Sequence, residues 1–173
     1  MKSAVSDSFI PASERTGSSS AGPLQLVHKL LATDGSVTAL IARLTLAGVM
    51  FPHGAQKLLG WFGGYGLEGT MGFFTGAMHI PWIFALAAIL AESLGAVALL
   101  TGFSARLAAL AIGANMVVAI LTTHLQNGFF MNWFGAQKGE GIEYHLLVLA
   151  LISIVVINGA GKASVDRWLQ KKI

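Results

Sequence analysis

The sequence predicts an all-α, polytopic membrane protein built as a four-helix transmembrane bundle. Three observations carry this. Hydrophobic residues make up 54% of the 173-residue chain, while Asp, Glu, Lys and Arg supply only 11%; a soluble domain covers its surface with ~25% charged residues. Four apolar stretches each come close to the ~20 residues that cross a hydrocarbon core ~30 Å thick. The 21 glycines suit helices whose backbones approach closely inside a bilayer. The same composition excludes a disordered chain, a coiled coil and a collagen-like repeat. With no cysteine, disulfides, thiolate metal sites and dithiol relays are excluded as well.

Residues 1–22 are polar, with a Ser run, and cannot bury enough apolar surface to order themselves. They also lack the short apolar core and small-residue cleavage site of a signal peptide. The stretch 23–33 sets Leu24, Val27, Leu30 and Leu31 against Gln25, His28 and Lys29, which fits a helix lying on the membrane surface or a plain connector. The spans are expected at 37–59, 82–101, 105–123 and 144–159. Only Gly102, Phe103 and Ser104 separate the second and third, so these must form a tight hairpin. Two Gly- and aromatic-rich loops, 60–81 and 124–143, place Trp, Tyr and Phe where an interfacial belt sits. Gly60, Gly63, Gly64, Gly66 and Gly69 lack the strand and the Gly-Lys-Ser/Thr ending of a phosphate loop, so nucleotide binding there is rejected. The chain divides into a tail at 1–36, a membrane domain at 37–161 and a basic tail at 162–173.

Orientation follows from charge. Four spans put both termini and the hairpin turn on one side, with Lys2, Arg15, Lys29, Arg106, Lys162, Arg167, Lys171 and Lys172. The other side holds Lys57 and Lys138. The imbalance assigns both termini to the cytoplasm. The formal net charge of +3 is thus a topology signal and implies no nucleic-acid partner.

Inside the membrane, ionisable groups need partners. Glu92 lies near the middle of the second span, on a face shared with Ala88, Gly95 and Ala96. Arg43, about two turns into the first span, is the expected partner, either as a structural ion pair or as a pair that handles protons or ligand. Asn115 is expected to hydrogen-bond between helices. His53, His124 and His145 come from three different spans at one membrane level, with Glu140 and Glu143 near. They are the candidate lining of an outer-side pocket, together with Trp61 and Trp133, able to bind a metal, carry protons or hold a quinone carbonyl. No local His spacing makes a metal pair, so no metal is assigned. The alternative is that these histidines face headgroups.

The run from Arg43 through His53, Gly54 and Lys57 to Gly60 resembles the opening signature of the DoxX family of small bacterial membrane proteins. The likeness continues through Trp61–Thr70, Glu92–Gly95, Gly102–Arg106, Asn115–Met116, His124–Phe130 and Glu143–Tyr144, covering roughly residues 37–168. One departure is Ala160-Gly161-Lys162, where the family more usually has Gly-Pro-Gly. The resemblance implies a four-helix membrane bundle in the bacterial plasma membrane, associated with membrane oxidoreductase systems: thiosulfate–quinone oxidoreduction for DoxD-type subunits, redox-stress assemblies with soluble partners for DoxX members. With no intrinsic cofactor, such a subunit would need quinone or a soluble oxidoreductase partner, and would be no autonomous enzyme. Two other functions stay open: a small transporter or permeability protein using Arg43 and Glu92, which would have to form a homo-oligomer, and a scaffold that recruits a soluble enzyme.

Overall fold

A computed structural model describes residues 22–172. Among them the secondary structure is helical throughout: α1 (Pro23–Leu31), α2 (Val37–Leu59), α3 (Gly66–Gly72), α4 (Trp82–Thr101), α5 (Ala105–Ala119), α6 (Glu143–Asn158) and α7 (Val165–Gln170). A π-turn at Phe73–Ala77 prolongs α3; a second, Ile120–His124, and a 3-10 turn, Leu125–Asn127, prolong α5. The polar segment 1–21 lies outside the described residues.

Three helices, Val37–Leu59, Trp82–Thr101 and Ala105–Asn127, are long and apolar enough to cross a membrane. The fourth, α6, is equally apolar but has 16 residues, about 24 Å of helix against a core of ~30 Å. The four close a ring in which α2 packs on α4, α4 on α5, α5 on α6 and α6 on α2. Its centre holds Leu46, Met50, Leu99, Ile112 and Val155, interleaved with Ala42, Ala47, Ala96 and Ala109. Exposed Leu, Ile, Val and Phe cover the outside. Such a surface is stable against lipid and costly against water.

Small residues set the closest crossing. A Cβ on Gly54 would lie 2.6 Å from the Ser93 Cα and 2.8 Å from the Glu92 carbonyl oxygen, so α2 and α4 touch backbone to backbone. The Ser93 hydroxyl hydrogen is shared between the carbonyls of Gly54 (3.1 Å) and Ile89 (2.8 Å). The α4–α5 hairpin turns at Gly102, which is left-handed at φ +69°, with Phe103 N–H donating to Ala98 O at 3.0 Å in the 6→1 pattern of a Schellman ending.

Around that turn the chain ends are fastened. Ser104 gives α5 no side-chain cap; Asp166 of α7 supplies it from across the fold, accepting from Ser104 N (2.7 Å) and Ala105 N (2.9 Å). Burial pushes the Asp166 carboxyl above its usual range, opposed by those two donors and by Arg106 and Arg43. Arg106 donates to the α6 carbonyls of Val156 (2.8 Å) and Ile157 (3.1 Å) and to Lys29 and Ala32 at the end of α1. The segment read from sequence as a basic tail therefore carries a docked helix.

Candidate functional site

The site lies at the opposite end of the bundle, where the long loops are. Here α5 departs from regular helix: its π-turn ends in His124, and such insertions frequently accompany functional sites. The second π-turn, in the 60–81 loop, carries Phe73 and Phe74. Between these turns and the ends of α2, α4 and α6 is a cavity of about 490 Å³. Its walls include Met50, Met116, Phe73, Phe74, Met78 and Ile80. Polar groups gather on the same lining: His53, Lys57, Glu92, Asn115, Tyr144 and both His124 and His145.

The Lys57 ammonium meets the Glu92 carboxylate at 2.5 Å, with side chains 26% and 10% exposed. Here the structure corrects the sequence reading: Glu92 does not pair with Arg43. The close crossing at Gly54 places Glu92 level with the loop-side end of α2, so Lys57, one turn beyond Gly54, reaches it. Arg43 lies about 16 Å from Gly54 along the helix. Its buried guanidinium turns the other way, donating to Leu99 O (2.6 Å), Leu100 O (2.9 Å), Ala160 O (2.9 Å) and Ala163 O (3.0 Å). It thus ties the last turn of α4 to the segment between α6 and α7, placing its charge at the carbonyl end of α4.

The three histidines from α2, α5 and α6 share the cavity wall. The His124 and His145 rings have centroids 4.2 Å apart, and His53 lies 6.1 Å from the Tyr144 ring. His124 Nδ1 is 2.8 Å from the Glu140 carbonyl oxygen. Asn115 lines the cavity and donates to Ala88 O of α4 at 2.7 Å. Two buried polar atoms, the Tyr144 hydroxyl and His145 Nδ1, have no hydrogen-bond partner of ordinary geometry among the described residues. Nor do any three His, Asp or Glu side chains there converge as a metal ligand set would.

Trp61 and Trp133 are not on the wall. Trp61 opens a 3-10 turn whose next residue, Phe62, has φ +52°, and it is 54% exposed; Trp133, between the turns of the 128–142 loop, is 79% exposed. Both point outward. Sequence reasoning missed Lys57 and Tyr144. The available signals were the i, i+4 spacing of Lys57 from His53 and the adjacency of Tyr144 to His145.

The family model DoxX matches residues 38–125, half of the chain. The chain belongs to the DoxX family. No curated protein and no solved structure matches it. The matched region of this DoxX protein runs from α2 to the end of α5 and contains His53, Lys57, Glu92, Asn115 and His124. Tyr144 and His145 come from α6, beyond it.

Proposed function

We propose that this DoxX protein is the membrane subunit of a quinone-linked or redox-stress system, and that the loop-end cavity is its quinone site. The supporting observation is the cavity itself: about 490 Å³ of largely apolar space with imidazoles from three helices on its wall. Ligand sites for drug-sized molecules combine this range of volume with a few placed polar groups. A quinone ring suits the Phe and Met walls, and its carbonyls suit histidine or ammonium donors. The chain has no cysteine, so electrons would come through the quinone and a soluble oxidoreductase partner. A transporter reading built on Arg43 and Glu92 loses its gating pair, since Arg43 is engaged by backbone carbonyls. We place the protein in a bacterial plasma membrane with both termini cytoplasmic.

The test is titration of the purified protein with decylbenzoquinone in mild detergent. Binding is expected, and the His53→Ala, His124→Ala, His145→Ala triple variant should weaken it at least about tenfold. Unchanged binding in that variant, or none in the native protein, would refute the assignment.

A further inference from the structure

Among the described residues, the polar end of the cavity keeps unspent hydrogen-bond donors on Lys57. An ammonium carries three N–H donors, and Lys57 spends one on Glu92. The Tyr144 hydroxyl and His145 Nδ1 have no partner among the described residues, and Asn115 Nδ2 and His124 Nδ1 are already engaged with backbone oxygens. Charge is accounted for separately. Among the described residues Lys57 is the one Lys or Arg on this wall, and the Glu92 carboxylate offsets its charge. An anion brought here would have to compete with the Glu92 carboxylate for Lys57 in a site of low dielectric. An ammonium ligand has no lone pair to accept from Lys57 and carries the same charge.

We propose that Lys57, held in place by Glu92, is the polar anchor of the cavity, and that it selects a neutral, apolar ligand through an accepting oxygen such as a carbonyl. This rests on the reading that the cavity holds a small molecule, but not on that molecule being a quinone. Lys57 suits the role because it is tethered at one N–H and keeps a quarter of its side chain accessible. Its rotamer is then fixed before ligand arrives, so little ordering cost remains on binding.

A matched set of probes tests this on the full-length protein in mild detergent, with heats corrected against empty micelles. Decylacetophenone is neutral, redox-inert and carries one accepting oxygen. Decylbenzene lacks that oxygen, decylbenzoate is an anion and decylbenzylammonium a cation. Decylacetophenone is expected to bind tightest. The Lys57→Met, Glu92→Met double variant removes both charges together, an exchange that buried pairs commonly tolerate. It should weaken decylacetophenone about tenfold or more, the range for a hydrogen bond to a charged group, and leave decylbenzene unchanged. Equal or tighter binding of either charged probe overturns the proposal. So does decylacetophenone binding that is indifferent to the double variant, or a complete lack of binding. If decylacetophenone binds with Lys57 dependence and decylbenzoquinone does not, the quinone reading fails and this one stands.

Discussion

Arg43, Arg106 and Asp166 use charge in the same way at the terminal end of the bundle. Each binds backbone groups at helix ends, two guanidiniums on carbonyls and one carboxylate on N–H groups. From sequence, an arginine two turns inside a span looks like a partner for the nearest carboxylate. The alternative open to it is a long side chain bending back toward its own end of the membrane. Which occurs depends on where Glu92 sits relative to α2, a fact set by the Gly54–Ser93 crossing and not by hydropathy. Two double-mutant cycles read the difference. Lys57→Met with Glu92→Gln should be clearly non-additive in thermal unfolding, because either change alone strands one buried charge. The single changes should cost near the low end of about 3–5 kcal/mol, since Lys57 keeps some exposure. Arg43→Leu with Glu92→Gln should be additive within about 0.5 kcal/mol, the behaviour of separated sites; coupling there would contradict the geometry. For Asp166, replacement by Ala should cost about 1–2 kcal/mol, the range for a lost N-cap. Asn, which keeps one acceptor, should cost less. Equal melting temperatures for Asp166→Ala and the native protein would mean the cap is dispensable.

Among the elements, α2 and α4 carry the tightest contact, and its tolerance is small. Gly54→Ala sets a methyl against the Ser93 Cα and the Glu92 carbonyl, neither of which can rotate away. The helices must separate, costing about 1–3 kcal/mol and lengthening the Lys57–Glu92 contact. Unfolding in detergent checks the stability, and a Gly54→Ala protein as stable as the native one would show that the helices do not approach as described. Span limits were legible because hydrophobic length is a strong signal: α2 and α4 have the very bounds that composition marks, 37–59 and 82–101. The π-turns were not legible. They depend on one extra residue per turn being absorbed by packing, and neither Ile120–His124 nor Phe73–Ala77 differs in composition from ordinary helix. The same holds for Tyr144. Its adjacency to His145 puts the two rings on different faces of a regular helix, yet at the first turn of α6 both reach the cavity, 5.4 Å apart. Trp61 and Trp133 show the converse, since aromatic composition marks a membrane interface without saying which ring turns inward.

For the whole molecule, the two ends of the bundle differ in kind. The terminal end is closed by α1, α7 and the Gly102 turn, interlocked through Arg106, Asp166 and the Thr33–Gly161 hydrogen bond of 2.7 Å. The loop end holds the cavity beneath two long Gly- and aromatic-rich segments. The cavity lies at one end of the bundle, so the direction in which the bundle sits in the membrane decides which leaflet it occupies. Positive charge sets that direction. Lys29, Arg106, Lys162, Arg167, Lys171 and Lys172 all belong to the terminal end, against Lys57 and Lys138 at the loop end. The orientation proposed above, with the terminal end in the cytoplasm, is the one the positive-inside rule favours. Reporter fusions after Lys172 and within 60–81 should give opposite compartment signals, cytoplasmic for the first and external for the second. Identical signals would rule out the three spans described between the 60–81 loop and the chain's end, and reversed signals would place the cavity on the cytoplasmic side.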